Sequence, residues 1–182
     1  KQTQLLANSV LFAAVVFAYV PTFLAIVIWV AIAWTIGGLV ARVNIRQTAA
    51  IGRVVFAMVV GALVLNAPWV SQFANSKWMD QFIGSQAASI QRVGLAQLAQ
   101  FDGGLLRFGI IALGLYIPVF VSVVVTRSNT FIWATRSLSL VVLTGMLIVA
   151  IDANVLNIAA PNFGQLLAII ACGLALGAGA LA

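Results

Sequence analysis

The sequence contains no histidine, one cysteine, four prolines and three acidic residues. Without histidine, bis-histidine haem, the usual zinc sets and histidine-ligated pigments are not expected. Cys172 lies alone in an apolar run, so it founds no disulfide framework and reads as a small packing residue. No metal or cofactor is expected. Charge of either sign is scarce, with nine basic and three acidic side chains in 182 residues of which 64% are hydrophobic. A soluble domain of this size needs a far more polar surface, which excludes that class. Nothing resembles a nucleophile–base pair, so no enzyme is expected. The net charge of +6 does not indicate nucleic acid, because the basic residues are scattered singly and mostly flank apolar spans. There they set topology. The chain opens at Lys1 without a basic segment and small-residue cleavage site, so no signal peptide is expected.

What is present is apolar sequence of membrane length. Mean hydropathy is +1.17, and several uncharged runs reach the ~20 residues that a bilayer crossing needs. The expected partner is the lipid bilayer, and the expected fold is an all-α integral membrane domain over 1–182. It has about five transmembrane helices, an apolar lead-in helix and an interfacial helix. Pro21 divides the long uncharged run Gln2–Ala41, because proline fits the first turn of a helix. Residues 5–20 then form the lead-in helix. Residues 21–68 form a first helical hairpin, with spans at Pro21–Ala41 and from about Val54 to Pro68. Residues 69–104 form a polar connector, rich in Gln, Ser and Ala. Within it Ala87, Ile90, Gly94, Leu98 and Phe101 recur at helical spacing, and Trp69 and Trp78 suit the headgroup level. Residues 105–160 form a second hairpin, with spans Leu105–Thr126 and Ser137 to about Ala160. Residues 163–182 are a final Gly/Ala-rich helix. Short basic links carry Arg42, Arg46 and Arg53 in one half, and Arg127 and Arg136 in the other. They outnumber Lys77, Arg92 and Arg107 across the bilayer, which places the short links in the cytoplasm.

Tyr19–Phe23 reads YVPTF and Tyr116–Phe120 reads YIPVF, each with a tyrosine two residues before a proline. Val40-Ala-Arg42-Val-Asn44 is matched by Val125-Thr-Arg127-Ser-Asn129. Val64-Leu-Asn66 with Pro68 is matched by Val155-Leu-Asn157 with Pro161. The common order predicts a same-direction internal repeat. In it Pro21 starts a span, whereas Pro118 kinks one from inside. Copies with equal orientation differ from the inverted repeats of many secondary transporters.

Two features carry candidate function. Asp152 is an acidic group in the later half of an apolar span, a candidate for ion coupling with Asn154 or Asn157 as neighbours. Counted along the helix from Ser137, it also falls near the headgroup exit. Asn66 is expected to cap or hydrogen-bond at a helix end. In the last span Gly173 and Gly177 form a GxxxG pair, with Ala171, Ala175 and Gly179 as a second small stripe. Such residues let helix backbones approach closely, within one chain, across a dimer or around a pore.

The proline-opened span ending Gly37-Gly-Leu-Val-Ala-Arg42 resembles the conserved transmembrane-helix repeat of bacterial relatives of small-conductance mechanosensitive channels. Ile51-Gly-Arg53-Val-Val-Phe56 to Leu65-Asn66-Ala67 resembles that family's next helix. Gly173-Leu-Ala-Leu-Gly177-Ala-Gly179 is similar in texture to its pore-lining helix. The resemblance implies an oligomeric, tension-gated ion channel of the bacterial inner membrane. Gly173, Gly177 and Gly179 would be its pore or packing positions, and Pro21 and Pro118 its kinks. A non-catalytic structural subunit of a larger membrane assembly is the second expectation, and an Asp152-coupled transporter the third.

Overall fold

The computed structural model describes residues 2–71, 113–126, 129–153 and 163–181. Among them the elements are helices α1 (Gln2–Tyr19), α2 (Phe23–Val40), α3 (Ile45–Leu65), a short α4 (Ala67–Val70), α5 (Ile117–Val125), α6 (Asn129–Asp152) and α7 (Phe163–Gly179). Three of these are long and apolar enough to cross a membrane: Phe23–Val40, Ile45–Leu65 and Thr130–Asp152. The apolar stretches Thr3–Tyr19, Leu113–Val125 and Phe163–Gly179 are shorter. The chain is thus a helical membrane protein. In hydrocarbon every backbone polar group must find a partner within the protein, and helices provide that internally.

The helix boundaries follow from their ends. Val20, Pro21 and Thr22 separate α1 from α2, with Phe23 N bonded to Val20 O at 2.9 Å. Asn44 opens α3, its side-chain oxygen accepting from Arg46 N at 2.9 Å, a standard N-cap. This cap moves the start of the helix well ahead of the expected Val54. Arg46 and Arg53 therefore ride on α3 and not in a link. Likewise α6 starts before the expected Ser137, and Arg136 lies inside it. Long basic side chains can be carried on a helix near the bilayer surface, because their stems lie along apolar neighbours while the charge reaches out. Scarce charge therefore marked the helix ends less sharply than the capping asparagine.

Pro118 is also corrected. It stands in the first turn of α5, where a missing N–H costs nothing, and it does not kink that helix. The two Tyr-x-Pro segments therefore do the same thing, each standing where a helix starts. The connector from Gln72 to Gly104, with Lys77, Trp78 and Arg92 in it, lies outside the described residues, as do Arg107, Arg127, Asn154, Asn157 and Pro161.

The helices pack as two clusters joined through α2. Ala13, Ala14 and Phe17 of α1 are buried with Leu24 of α2 and Ala62 of α3. Val10 lies directly over Gly61, and Ala14 O accepts from Asn66. Rising numbers on α1 meet rising numbers on α3, so these helices run parallel. The larger cluster joins Ala33 of α2, Val119 of α5, Leu140 and Ile148 of α6, and Ile170 and Leu174 of α7. Here Trp29 meets Thr144 and Ala33 meets Ser139. Rising numbers on α2 meet falling numbers on α6, which makes that pair antiparallel.

Candidate functional site

Helix α7 divides its small residues between two faces. Gly173 and Gly177 are buried. A Cβ on Gly173 would stand 2.8 Å from Val141 Cγ2 and 3.3 Å from Leu140 Cβ. A Cβ on Gly177 would stand 2.5 Å from Val119 Cγ2 and 2.7 Å from Ser137 Oγ. Neither site has room for a side chain. Ser137 fills the seam from α6, and its hydroxyl donates to Gly173 O at 2.6 Å. The GxxxG pair is therefore used inside the chain, holding α7 against α6 and α5. The other stripe is different. Ala171, Ala175 and Gly179 are exposed together with Ala168 and Cys172, and a Cβ on Gly179 would meet nothing within 4 Å.

A second close seam joins α2 to α6. A Cβ on Gly37 would lie 2.5 Å from Ser139 Oγ and 2.7 Å from Arg136 Cα. Ser139 Oγ donates to Ala33 O at 2.5 Å, and Trp29 Nε1 donates to Thr144 Oγ1 at 3.1 Å. At the N-terminal end of α2, Thr22 Oγ1 donates to Gln165 Oε1 of α7 at 3.2 Å. In hydrocarbon such bonds hold helices together at about 0.6 kcal/mol each on average. Sequence reading missed Ser137, Ser139, Thr144 and Trp29. Their signal was the seven-residue step from Ser137 to Thr144 and the four-residue step from Thr135 to Ser139, which set two polar faces on an otherwise apolar helix.

The end of α2 is closed by a Schellman turn. Val43 N bonds to Gly38 O at 2.9 Å and Arg42 N to Leu39 O at 3.0 Å. The left-handed position in this turn is held by Arg42, with φ 56°, the one non-glycine residue with positive φ among those described. Gly37 and Gly38, which look from sequence like the closing glycines, serve packing. Arg136 stacks over Trp34 with its guanidinium carbon 5.1 Å from the ring centroid. Trp34 meets Trp133 edge-on at 5.4 Å. Asp152 is the last residue of α6. Because α2 and α6 are antiparallel, it lies at the end of the bundle opposite Arg42. The structure does not bring Asp152 together with the α7 glycines. Asn66 caps α3, as its position suggests, donating to Ala62 O at 2.9 Å and Ala14 O at 3.0 Å.

The geometry defines a helical membrane protein with glycine-dependent seams at Gly37, at Gly61 and at the Gly173/Gly177 pair. In comparisons with protein families, curated proteins and solved structures, nothing matches the chain.

Proposed function

We propose that the chain is the membrane domain of a mechanosensitive-type ion channel, assembled as a homo-oligomer and opened by membrane tension. The observation that carries this reading is the division of α7. Its glycine face is taken up by its own chain, while Ala168, Ala171, Cys172, Ala175 and Gly179 stay uncovered on the other side. Small residues along one exposed helical face suit a ring of copies around a narrow apolar pore, closed by dewetting and requiring no ionisable gate. Tension favours the arrangement with the larger in-plane area, and the apolar α1 and α3 present lipid-facing surface on which tension acts. A second reading, a non-catalytic structural subunit of a larger assembly, is favoured by the scarcity of charged side chains, twelve in 182 residues.

The test is patch recording from liposomes containing the purified chain under suction. Stretch-dependent conductance is expected, with block by a membrane-impermeant thiol reagent acting on Cys172. A silent membrane overturns the channel reading, and stoichiometric co-purification of unrelated subunits favours the structural one. Conductance that ignores the thiol reagent moves the pore off this face of α7.

A further inference from the structure

The turn from α2 to α3 gathers positive charge without a counter-charge in its own sequence. Arg42 and Arg46 are exposed, four residues apart across the Schellman turn and the Asn44 cap. Arg136 reaches the same place from α6. Its Nη2 and Nε lie 3.4 Å and 3.5 Å from where a Gly38 Cβ would stand, so the guanidinium packs in van der Waals range of the end of α2. Arg136 Nε is buried with no hydrogen-bond partner among the described residues. The acidic residues of the chain are Asp80, Asp102 and Asp152, none of them on α2, α3 or the turn. Asp152 closes the far end of α6.

We propose that this turn seats the headgroup of an anionic phospholipid, with Arg42, Arg46 and Arg136 as its cationic walls. The occupant follows from position and charge. The turn joins two membrane-spanning helices, so it lies at headgroup depth, where phosphate is the abundant anion. Guanidinium groups match phosphate oxygens in paired hydrogen bonds. Each arginine near an anionic leaflet adds about 1 kcal/mol of attraction. Arg42 also holds a backbone conformation usual for glycine, a local cost that a charge-bearing role accounts for. The proposal stands apart from the channel reading.

The purified chain in zwitterionic detergent is titrated with phosphatidylglycerol, phosphatidylcholine or inorganic phosphate, with thermal stability and apparent Kd as readouts. Phosphatidylglycerol raises the melting temperature, and the other two leave it unchanged. Arg42→Gln and Arg46→Gln each weaken phosphatidylglycerol binding about fivefold, the equivalent of about 1 kcal/mol, while Asp152→Asn leaves it unchanged. Arg42→Gly separates charge from folding: it raises the lipid-free melting temperature and still weakens phosphatidylglycerol binding. Equal stabilisation by phosphatidylcholine, a shift reproduced by inorganic phosphate, or full lipid affinity in Arg42→Gly overturns the proposal.

Discussion

The hydroxyl of Ser137 donates to the carbonyl of Gly173 at 2.6 Å and lies 2.7 Å from where a Gly177 side chain would begin. One small polar residue of α6 thus bonds the backbone at Gly173 and, with Val119, fills the space that Gly177 leaves open. Adding a methyl at Gly177 forces Val119 and Ser137 apart, and Val119 approaches through its backbone Cα as well, at 3.1 Å. Gly177→Ala and Gly173→Ala should each destabilise by about 1–3 kcal/mol, the usual cost of overpacking. Gly179→Ala, in open space, should stay within about 0.5 kcal/mol of the parent. Denaturant unfolding in mixed micelles measures all three. Equal effects at Gly177 and Gly179 would show that the close seam is not where stability resides.

The Trp29–Thr144 bond crosses from α2 to α6 with the threonine fully buried. Trp29→Phe removes the donor and leaves the hydroxyl to find another partner in an apolar seam. Thr144→Val removes the acceptor at nearly constant volume. A double-mutant cycle should give a coupling of about 0.6 kcal/mol, with about 1.7 as an upper bound for such bonds in membrane bundles. Additive single effects would mean that the two groups act independently.

At Arg42 the backbone conformation makes the sign of a substitution predictable. A left-handed residue costs about 1–2 kcal/mol for a side chain with a Cβ, and glycine escapes that cost while losing more chain entropy on folding. Arg42→Gly should therefore stabilise the lipid-free protein by about 0.5–1 kcal/mol. Arg42→Val, β-branched and ill-suited to positive φ, should destabilise it. Thermal melts of both variants check this, and a Gly variant less stable than the parent would place essential contacts on the arginine side chain.

The membrane class was legible because apolar run length is a bulk property. The break at Pro21, the final helix from Phe163 and the cap at Asn66 were legible from local backbone rules. The starts of α3 and α6 were not. Arginines suggest links, yet Arg46, Arg53 and Arg136 all lie within helices, the first two exposed and Arg136 packed against Trp34. Asn44 carried the better signal, because a capping side chain acts on the backbone directly. At Pro118 the apolar sequence runs unbroken through a helix start and hides it. The division of α7 could not be read from sequence, since glycine and alanine stripes look alike until the partners of Gly173 and Gly177 are known.

That division leads to the last prediction, which rests on the proposed channel. If the exposed stripe of α7 lines an apolar pore, wetting it should ease opening. Ala175 is exposed on that stripe, one turn beyond Ala171, so Ala175→Asn places a hydrogen-bonding group at the constriction without touching the buried seam. Dewetting then becomes less favourable, and the suction needed for half-maximal conductance should fall. Gly177→Ala should act differently, because it disturbs the seam between α7, α5 and α6 and lowers stability before it alters wetting. Patch recordings at graded suction, with melting temperatures for both variants, separate the two. An unchanged threshold in Ala175→Asn with normal stability would turn the exposed stripe toward lipid and put the conduction path elsewhere in the assembly.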